Sequence, residues 1–325
     1  MHALILGAAG MIGRRLVDAL VAEGRVGGQP LTALTLLDVV APAAPEGFTG
    51  PVRAEAADLS APGIAEAAIR ARPEVIFHLA AVVSGEAEAD FDLGYRVNLD
   101  ATRALFEAIR AAHAAEGYRP RVVFTSSLAV FGPPFPGIIP DDFSLRPATC
   151  YGTQKAMGEL LLADYARRGF LDGIGIRLPT ICVRPGKPNK AASGFFSGII
   201  REPLAGQPAV LPVPDTVRHW FASPAAAVGF LTHAAGLDLA RLGLRRNLTM
   251  PGVSATVAEE IEALRRAAGD AAVALIRCEP DERILRIVET WPEAFDPAAA
   301  TELGFRADDS FDAIVARHVA EFHGG

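Results

Sequence analysis

The sequence is poor in cysteine and has no long apolar run, and each absence excludes a class of protein. Cysteine occurs 3 times in 325 residues, without the spacing of metal ligands. A disulfide scaffold and a zinc site are therefore both disfavoured. No stretch approaches the ~20 consecutive apolar residues of a transmembrane helix. We expect a globular protein of a reducing cytoplasm, without a bound metal and without a membrane span.

The sequence also lacks a basic tract. Its 38 acidic residues outnumber its 31 lysines and arginines, the net charge is −7 and the pI is about 5.6. Nucleic-acid binding needs a basic surface, which this composition does not provide. The N-terminal letters MHALILGAAG have no basic region of the kind that begins a signal peptide. These features predict a cytoplasmic protein that binds no nucleic acid.

What the sequence does have is a strong apolar pattern, since 50% of its residues are hydrophobic. The chain begins with an apolar run (ALILG), a glycine turn (GAAGMIG), a segment with apolar residues at i and i+4 (RRLVDALVAEG) and a second apolar run (LTALTLLDVV). This order of strand, turn, helix and strand predicts a βαβ unit.

Strand-like and helix-like segments continue to alternate along the chain. Apolar runs over 74–82, 121–132 and 173–183 are separated by helical patterns over 98–114 and 151–167. Such alternation predicts a parallel sheet with helices on both faces. The predicted fold class is α/β, a Rossmann-type doubly wound parallel sheet with a smaller C-terminal α+β substrate domain.

The composition of the sequence changes after Val183. The letters RPGKPNKAASGFF are rich in glycine, proline and cations and indicate a loop. We predict an NAD-binding domain over 1–183, with a returning segment near 215–236. The substrate-binding domain is predicted mainly over 184–325.

The glycine turn predicts a dinucleotide site because it follows a strand directly and opens a helix. Gly7 permits a tight turn, Gly10 lets a pyrophosphate approach the backbone, and Gly13 lets the helix pack against the strand. Asp38 ends the second strand, where a carboxylate binds ribose hydroxyls and repels a 2′-phosphate. The expected cofactor is therefore NAD rather than NADP. Asp58 follows the third expected strand and is a candidate for contact with the adenine.

The letters YGTQK place Tyr151 and Lys155 four residues apart, a spacing that by itself also fits an exposed helix. Upstream, FTSSLAVFG carries serines at the end of a sheet strand. Ligands of open α/β sheets bind at carboxyl ends of strands. A serine there and a tyrosine at the start of the next helix can converge on one substrate oxygen.

Five motifs in this order, GAAGMIG, HLAA, SSLAVFG, YGTQK and RLPTICVRPG, resemble the NAD-dependent epimerase/dehydratase family, also called the extended short-chain dehydrogenase/reductase family. The resemblance implies catalytic roles for Ser127, Tyr151 and Lys155, with Ser126 as the alternative serine. Residues expected at the cofactor are Gly7, Gly10, Met11, Ile12, Gly13, Asp38, Asp58, Leu59, Leu79, Ala80, Ala81, Asn98, Tyr151, Lys155, Pro179 and Thr180.

The implied chemistry is the oxidation of a secondary alcohol. A free phenol has a pKa near ~10 and is a weak base at neutral pH. A lysine cation one helical turn away favours the phenolate. Tyr151 would then take the hydroxyl proton while Ser127 positions the reacting oxygen.

The stretch VRPGKPNKAASGFFSGIIREPLAGQP resembles the D-erythronate dehydrogenase branch of the family, whose members oxidise the C2 hydroxyl of a four-carbon sugar acid with NAD. Arg184, Lys187 and Lys190 bring cations to this loop. The candidate substrate-binding residues are Ser84, Ser127, Tyr151, Asn189, Lys190, Ser193 and Arg218.

Three other functions remain open within this family. They are an L-threonine 3-dehydrogenase-like enzyme, a nucleotide-sugar epimerase that retains its NAD, and a non-catalytic NAD-binding regulator. The intact Ser127, Tyr151 and Lys155 set disfavours the regulator. The resemblance also implies a homodimer that forms through helices 98–114 and 151–167.

Overall fold

The computed structural model describes residues 1–186 and 192–323. Short strands alternate with helices from the first residues onward. The strands are β1 (His2–Leu6), β2 (Arg25–Val26), β3 (Gln29–Pro30), β4 (Ala33–Asp38), β5 (Val52–Ala56), β6 (Val75–His78), β7 (Arg121–Ser127), β8 (Asp172–Leu178), β9 (Thr180–Ile181), β10 (Ala209–Leu211), β11 (Arg218–Ala222), β12 (Asn247–Thr249), β13 (Val253–Thr256) and β14 (Ile276–Cys278).

Helices connect most of these strands. In chain order they are α1 (Met11–Glu23), α2 (Ile64–Ala68), α3 (Ser84–Ala89), α4 (Phe91–Gly94), α5 (Ala101–Glu116), α6 (Cys150–Arg167), α7 (Gly194–Leu204), α8 (Pro224–Gly236), α9 (Val257–Val273), α10 (Glu282–Val288), α11 (Ala298–Glu302) and α12 (Phe311–Phe322). Among the described residues, none of these helices has the length and apolar character needed to cross a membrane.

Seven strands form a central sheet in the order β12-β8-β7-β6-β1-β4-β5. Every neighbouring pair in it is parallel. The chain builds outward from β1 in one direction through β4 and β5, and in the other through β6, β7 and β8. The predicted Rossmann-type α/β fold is confirmed. Its switch point lies between β1 and β6, where open α/β sheets bind their ligands.

The two faces of the sheet follow from the alternation of side chains along its strands. In β1, Ile5 packs into a core shared with α1 and α8, whereas Leu4 packs into a second core shared with α2, α5 and α6. Both residues are fully buried. Burial of one such side chain contributes about 1.5–3 kcal/mol, so the sheet is held by apolar contacts on both sides.

A third core lies in the later part of the chain. It joins Phe196 of α7, Leu264 of α9 and Val315 of α12 beside the small sheets β13-β11-β9 and β10-β14. The same part of the chain also returns to the central sheet, because α8 packs on α1 and β12 pairs with β8. The division at residue 183 stays a prediction.

The helix that the sequence indicates over 98–114 begins in a different form. Tyr95–Asp100 is a π-helical segment, and regular α-helix follows from Ala101. A π-helical turn holds one more residue than an α-helical turn and is common at functional sites. Here it carries Asn98 toward the carboxyl end of β6.

Candidate active site

The glycine turn after β1 has no room for side chains. Gly7 has φ of +90°, and a Cβ there would lie 2.8 Å from the backbone nitrogen of Ala80. A Cβ on Gly13 would lie 2.1 Å from the carbonyl oxygen of Gly7. The backbone therefore requires glycine at both positions. A Cβ on Gly10 would lie 3.3 Å from the Gly7 carbonyl oxygen, which is a tight contact but less severe than the other two.

Helix α1 begins at this turn with free capacity for an anion. Gly10 is its N-cap and offers no side-chain hydrogen bond, and the first turn holds no acidic residue. The first backbone N–H groups of a helix lack intrahelical acceptors and carry partial positive charge. The turn, with Met11 and Ile12 as the first helical residues, therefore fits a pyrophosphate.

Asp38 lies beside the turn at the end of β4. Its Oδ2 accepts a hydrogen bond of 2.9 Å from the N–H of Ala9, which fixes the carboxylate over the glycine loop. A carboxylate in this position suits the hydroxyls of a ribose.

Asp58 is exposed, and its carboxylate binds within its own loop. It accepts hydrogen bonds of 2.9 and 2.6 Å from the backbone N–H and the hydroxyl of Ser60. These bonds lower its pKa. Leu59 beside it packs into the core.

Asn98 organises the segment that follows β6. Its Oδ1 accepts from the N–H of Val82 at 2.8 Å, and its Nδ2 donates to the Val82 carbonyl at 3.1 Å and to Oε1 of Gln154 at 2.7 Å. The side chain is 1% exposed, so these contacts use most of its capacity. Asn98 therefore joins the half-buried strand end Leu79–Ala81 to helix α6 rather than facing open space.

Ser127 and Tyr151 are brought together by the start of α6. Thr149 caps this helix by accepting from the N–H of Gly152 at 3.1 Å. A Cβ on Gly152 would lie 2.0 Å from the Ala129 carbonyl, so the helix begins directly against the turn that follows Ser127. The Ser127 hydroxyl accepts from the N–H of Ala129 at 3.1 Å and is near enough to the Tyr151 phenol to lower the pKa of that group.

Burial raises the pKa of Tyr151 to about 12. The Ser127 hydroxyl and the positive charge of Arg184 oppose this rise. Arg184 thus adds a second cation to the one that the sequence predicts beside the phenol, and the role of Lys155 in favouring the phenolate stays a prediction.

Lys155 is buried and points across the site. Its Nζ donates to the carbonyl of Thr125 at 2.8 Å and lies 5.8 Å from the centroid of the Tyr151 ring. Burial lowers the pKa of Lys155 to about 8, and the charge of Glu159 partly opposes that shift. The ammonium group has three donors, so two remain for a ligand.

Ser126 points to the other face of β7, as neighbouring residues of a strand must. Its hydroxyl donates to Glu159 Oε1 at 2.6 Å. Glu159 in turn accepts bonds of 2.9 and 2.8 Å from Arg177. All three side chains are buried. The structure thus places Ser127 beside Tyr151 and commits Ser126 to a buried ion pair.

Pro179 and Thr180 follow β8, and Pro179 is buried. The Thr180 hydroxyl lies 2.7 Å from His219 Nε2, and His219 Nδ1 lies 3.1 Å from the carbonyl of Pro292. Burial lowers the pKa of His219 to about 4, so the ring is neutral. A carbonyl only accepts, and Nδ1 therefore carries the hydrogen. It follows that the Thr180 hydroxyl donates to Nε2.

The predicted substrate residues lie in several places. Ser193 accepts a 2.9 Å bond from Arg184 Nη2. Ser84 is half-buried at the start of α3. Arg218 donates to the Ser254 carbonyl at 3.2 Å and pairs with Glu259 at 3.3 Å, and these contacts do not connect it to Tyr151. Lys187, Asn189 and Lys190 lie outside the described residues.

Three residues at the site were not among the predicted ones. Arg184 was counted only as a loop cation, and Gln154 and His219 had no assigned role. The letters YGTQK do place Gln154 between Tyr151 and Lys155 on the same predicted helix. Arg184 lies three residues after the end of β9, and proximity to a sheet edge is the signal that could identify it.

Comparison with known proteins agrees with this architecture. The model of the NAD dependent epimerase/dehydratase family matches residues 3–223. The chain belongs to this family. The epimerase/dehydratase match includes the glycine turn, Asp38, Ser127, Tyr151 and Lys155, whereas α9–α12 lie beyond it.

Individual relatives of the epimerase/dehydratase family extend over nearly the whole chain. The D-erythronate dehydrogenase of Cupriavidus necator is 50% identical over 99% of this chain and 98% of its own. The D-erythronate dehydrogenase of Haemophilus influenzae is 43% identical over 98% and 99%. The crystal structure of the nucleoside-diphosphate-sugar epimerase from Agrobacterium tumefaciens has 64% identity and a TM-score of 0.98, and covers 100% of this chain and 95% of its own.

Proposed function

We propose that this protein is an NAD-dependent dehydrogenase that oxidises the C2 hydroxyl of D-erythronate to 2-dehydro-D-erythronate. The observation that carries the proposal is that the helix bearing Tyr151 begins directly against the turn that follows Ser127, with the charge of Arg184 acting on the Tyr151 pKa. This arrangement suits removal of a hydroxyl proton next to an anionic group. The similarity to two D-erythronate dehydrogenases over nearly their full length supports the choice of substrate.

The residues around the glycine turn fit NAD. The turn admits no side chain at Gly7 or Gly13, α1 begins there without an acidic residue, and Asp38 stands where a ribose would be bound. Lys155 keeps two donors for the hydroxyls of the second ribose. When bound, NAD supplies the acceptor for the hydride that leaves C2.

The chain's own residues handle the proton. Ser127 holds the C2 oxygen through its hydroxyl, and Tyr151 Oη accepts the proton from that oxygen as the C2–O bond becomes a carbonyl. Tyr151 must lose its own proton first, although its pKa is about 12. The Ser127 hydroxyl and the Arg184 charge favour that loss, because both stabilise the phenolate.

The wider assignments are part of the same proposal. Residues 1–183 bind NAD, with a returning segment near 215–236, and residues 184–325 mainly bind substrate. The protein acts in the cytoplasm as a homodimer that pairs through α5 and α6.

The second candidate function is nucleotide-sugar epimerisation. It is favoured by the 64% identity to the structure from Agrobacterium tumefaciens that is described as such an epimerase. An epimerase returns the hydride to its substrate. It would therefore retain its cofactor and release no NADH.

The test is NADH formation by the purified protein with NAD and D-erythronate, with L-threonate, L-threonine and a UDP-sugar in parallel. We expect NADH formation with D-erythronate and with none of the other three compounds. Tyr151→Phe should lower kcat by at least about 10²–10⁴-fold, the usual contribution of general acid–base catalysis. Tyr165→Phe is the matched control, since Tyr165 lies on the same helix and binds Glu107 away from the site.

The outcomes separate the candidates. NADH formation from L-threonine but not from the acid would reject the proposed substrate and keep the dehydrogenase. Absence of NADH with every compound, together with a UDP-sugar that changes configuration, would establish the epimerase instead. Equal activity of Tyr151→Phe and Tyr165→Phe would remove Tyr151 from the mechanism.

A further inference from the structure

Arg184 is a half-buried cation at the site, and its partners among the described residues are all neutral. Its Nε donates to the Ile181 carbonyl at 2.9 Å and its Nη2 to the Ser193 hydroxyl at 2.9 Å. Within residues 1–186 and 192–323 it forms no ion pair with a carboxylate, and its Nη1 makes no hydrogen bond. We propose that Arg184 binds the carboxylate of the substrate and thereby selects C2 for oxidation. This inference rests on the proposed function.

The guanidinium is held in place before any ligand arrives. The backbone N–H of Arg184 donates to Ser197 Oγ at 3.0 Å, and its carbonyl accepts from Arg201 Nη1 at 2.7 Å. Ser193 is the N-cap residue of α7. Both ends of the residue and its Nε are therefore fixed. An arginine held in this way loses little further freedom on binding, which favours affinity.

The missing counter-charge points to an anionic ligand. Burial lowers the pKa of Arg184, so the surroundings disfavour its charge. A buried ion without a partner of opposite charge costs several kcal/mol. A carboxylate placed against Nη1 and Nη2 would accept two parallel hydrogen bonds from the planar fork. It would also supply the opposite charge that the chain's described residues do not.

The position of Arg184 suits the carboxylate of a 2-hydroxy acid, because its Nε binds the Ile181 carbonyl next to Thr180. Its charge reaches the Tyr151 phenol closely enough to lower the pKa of that group. In a 2-hydroxy acid the carboxylate is bonded directly to the carbon that bears the reacting hydroxyl. The carboxylate anchor and the base must therefore be neighbours. D-erythronate also has hydroxyls at C3 and C4, and a carboxylate fixed at Arg184 presents C2 to Tyr151.

Equilibrium binding tests the inference without turnover. In the Tyr151→Phe background saturated with NAD, D-erythronate and its neutral amide, D-erythronamide, are titrated by calorimetry. Adding Arg184→Gln should weaken binding of the acid about 10²-fold, the loss expected from hydrogen bonds to a charged group. Binding of the amide should change less than about 3-fold. Arg184→Lys keeps the positive charge but lacks the planar guanidinium, so it should recover part of the affinity for the acid that Arg184→Gln loses.

The control is Arg266→Gln in the same background, because Arg266 pairs with Asp312 on the surface. Circular dichroism establishes that each variant is folded. Unchanged affinity for the acid in Arg184→Gln would overturn the inference. So would an equal loss for the acid and the amide, which indicates a structural role. A loss found only in Lys187→Gln or Lys190→Gln would assign the carboxylate to that loop.

Failure of the inference differs from failure of the proposed function. If the wild-type protein makes NADH from D-erythronate and Arg184→Gln binds the acid normally, the function stands and the role of Arg184 is rejected. If the wild-type protein makes no NADH from D-erythronate and Tyr151→Phe does not bind it, both are rejected.

Discussion

Arg177 in β8 is buried and Arg184 shortly after β9 is half-buried, and the two arginines differ in what neutralises them. Arg177 donates two hydrogen bonds to Glu159, at 2.9 and 2.8 Å, and lies over the ring of Phe131. Among the residues that the structure describes, the Arg184 guanidinium donates to the Ile181 carbonyl and the Ser193 hydroxyl and to no carboxylate. A charge that the chain pairs internally stabilises the fold, whereas a charge left with neutral partners is available to a ligand.

The same contrast separates two buried glutamates. Glu159, under the central sheet, is satisfied by Arg177 and Ser126. Glu260 on α9 is fully buried, and neither of its carboxylate oxygens has a hydrogen-bond partner within the described ranges. Burial raises its pKa well above the usual value. Glu159 is thus paired within the fold, whereas Glu260 has no hydrogen-bond partner among the described residues.

The largest effect on stability is expected from breaking the internal pair. Arg177→Met leaves Glu159 buried and charged, which should lower the free energy of unfolding by about 3–5 kcal/mol. Urea denaturation followed by circular dichroism measures it. The control is Arg167→Met, which removes an exposed pair with Asp164 and should change stability by less than about 1 kcal/mol.

A double variant sharpens this result. Glu159→Gln combined with Arg177→Met removes both charges and should recover much of the stability that the single change loses. Equal losses for Arg177→Met and Arg167→Met would show that the buried pair does not stabilise the fold.

An intermediate, pH-dependent effect is expected at Glu260. In the folded protein its raised pKa keeps the proton that the unfolded chain releases, so wild-type stability falls as pH rises above the unfolded pKa. The slope from this group is at most about 1.4 kcal/mol per pH unit. Glu260→Gln removes this pH dependence. The melting temperature of the variant should therefore exceed that of the wild type by more at pH 8 than at pH 5.

Glu262→Gln is the control for this titration, because Glu262 is an exposed residue of the same helix that pairs with Arg265. Its difference from the wild type should be the same at both pH values. If Glu260→Gln behaves in the same way, the Glu260 carboxyl is not held protonated by the fold.

The smallest effect on stability is expected at Arg184, where the effect on binding is large. Arg184→Met loses two hydrogen bonds to neutral acceptors but also removes a half-buried charge that no described carboxylate pairs. These changes oppose each other, so the free energy of unfolding should stay within about 1 kcal/mol of the wild type. Urea denaturation beside Arg177→Met gives the comparison directly. A loss as large as that of Arg177→Met would make Arg184 a structural residue.

Local patterns made the fold predictable. The strand, glycine turn and helix around Gly7 and Gly13 can be read from neighbouring letters because the steric demands of the turn are local. Strand β12 has three residues, Asn247–Thr249, and is too short to show a period. The π-helical turn at Asn98 is equally invisible, because its extra residue changes hydrogen bonding but not the apolar pattern.

The site was less predictable because pairing is a tertiary property. Ser126 and Ser127 are adjacent letters, and only the orientation of β7 in the sheet decides which of them faces Tyr151. The sequence shows three cations after β9 but not whether a carboxylate lies opposite any of them. Arg177 and Arg184 therefore look alike in the sequence, and only the folded chain distinguishes them.

The neutral ring of His219 determines which kind of hydrogen-bonding group can bind the Thr180 hydroxyl. Since the Thr180 hydroxyl hydrogen is committed to Nε2, the oxygen offers only lone pairs to a ligand. A group that meets it must bring its own hydrogen, as the amide nitrogen of a carboxamide does. A carboxylate in the same place would set lone pair against lone pair. The His219 Nδ1 proton, bound by the Pro292 carbonyl, thus fixes the direction of the Thr180 hydroxyl hydrogen. Through that hydroxyl it favours an amide over a carboxylate as the ligand of Thr180.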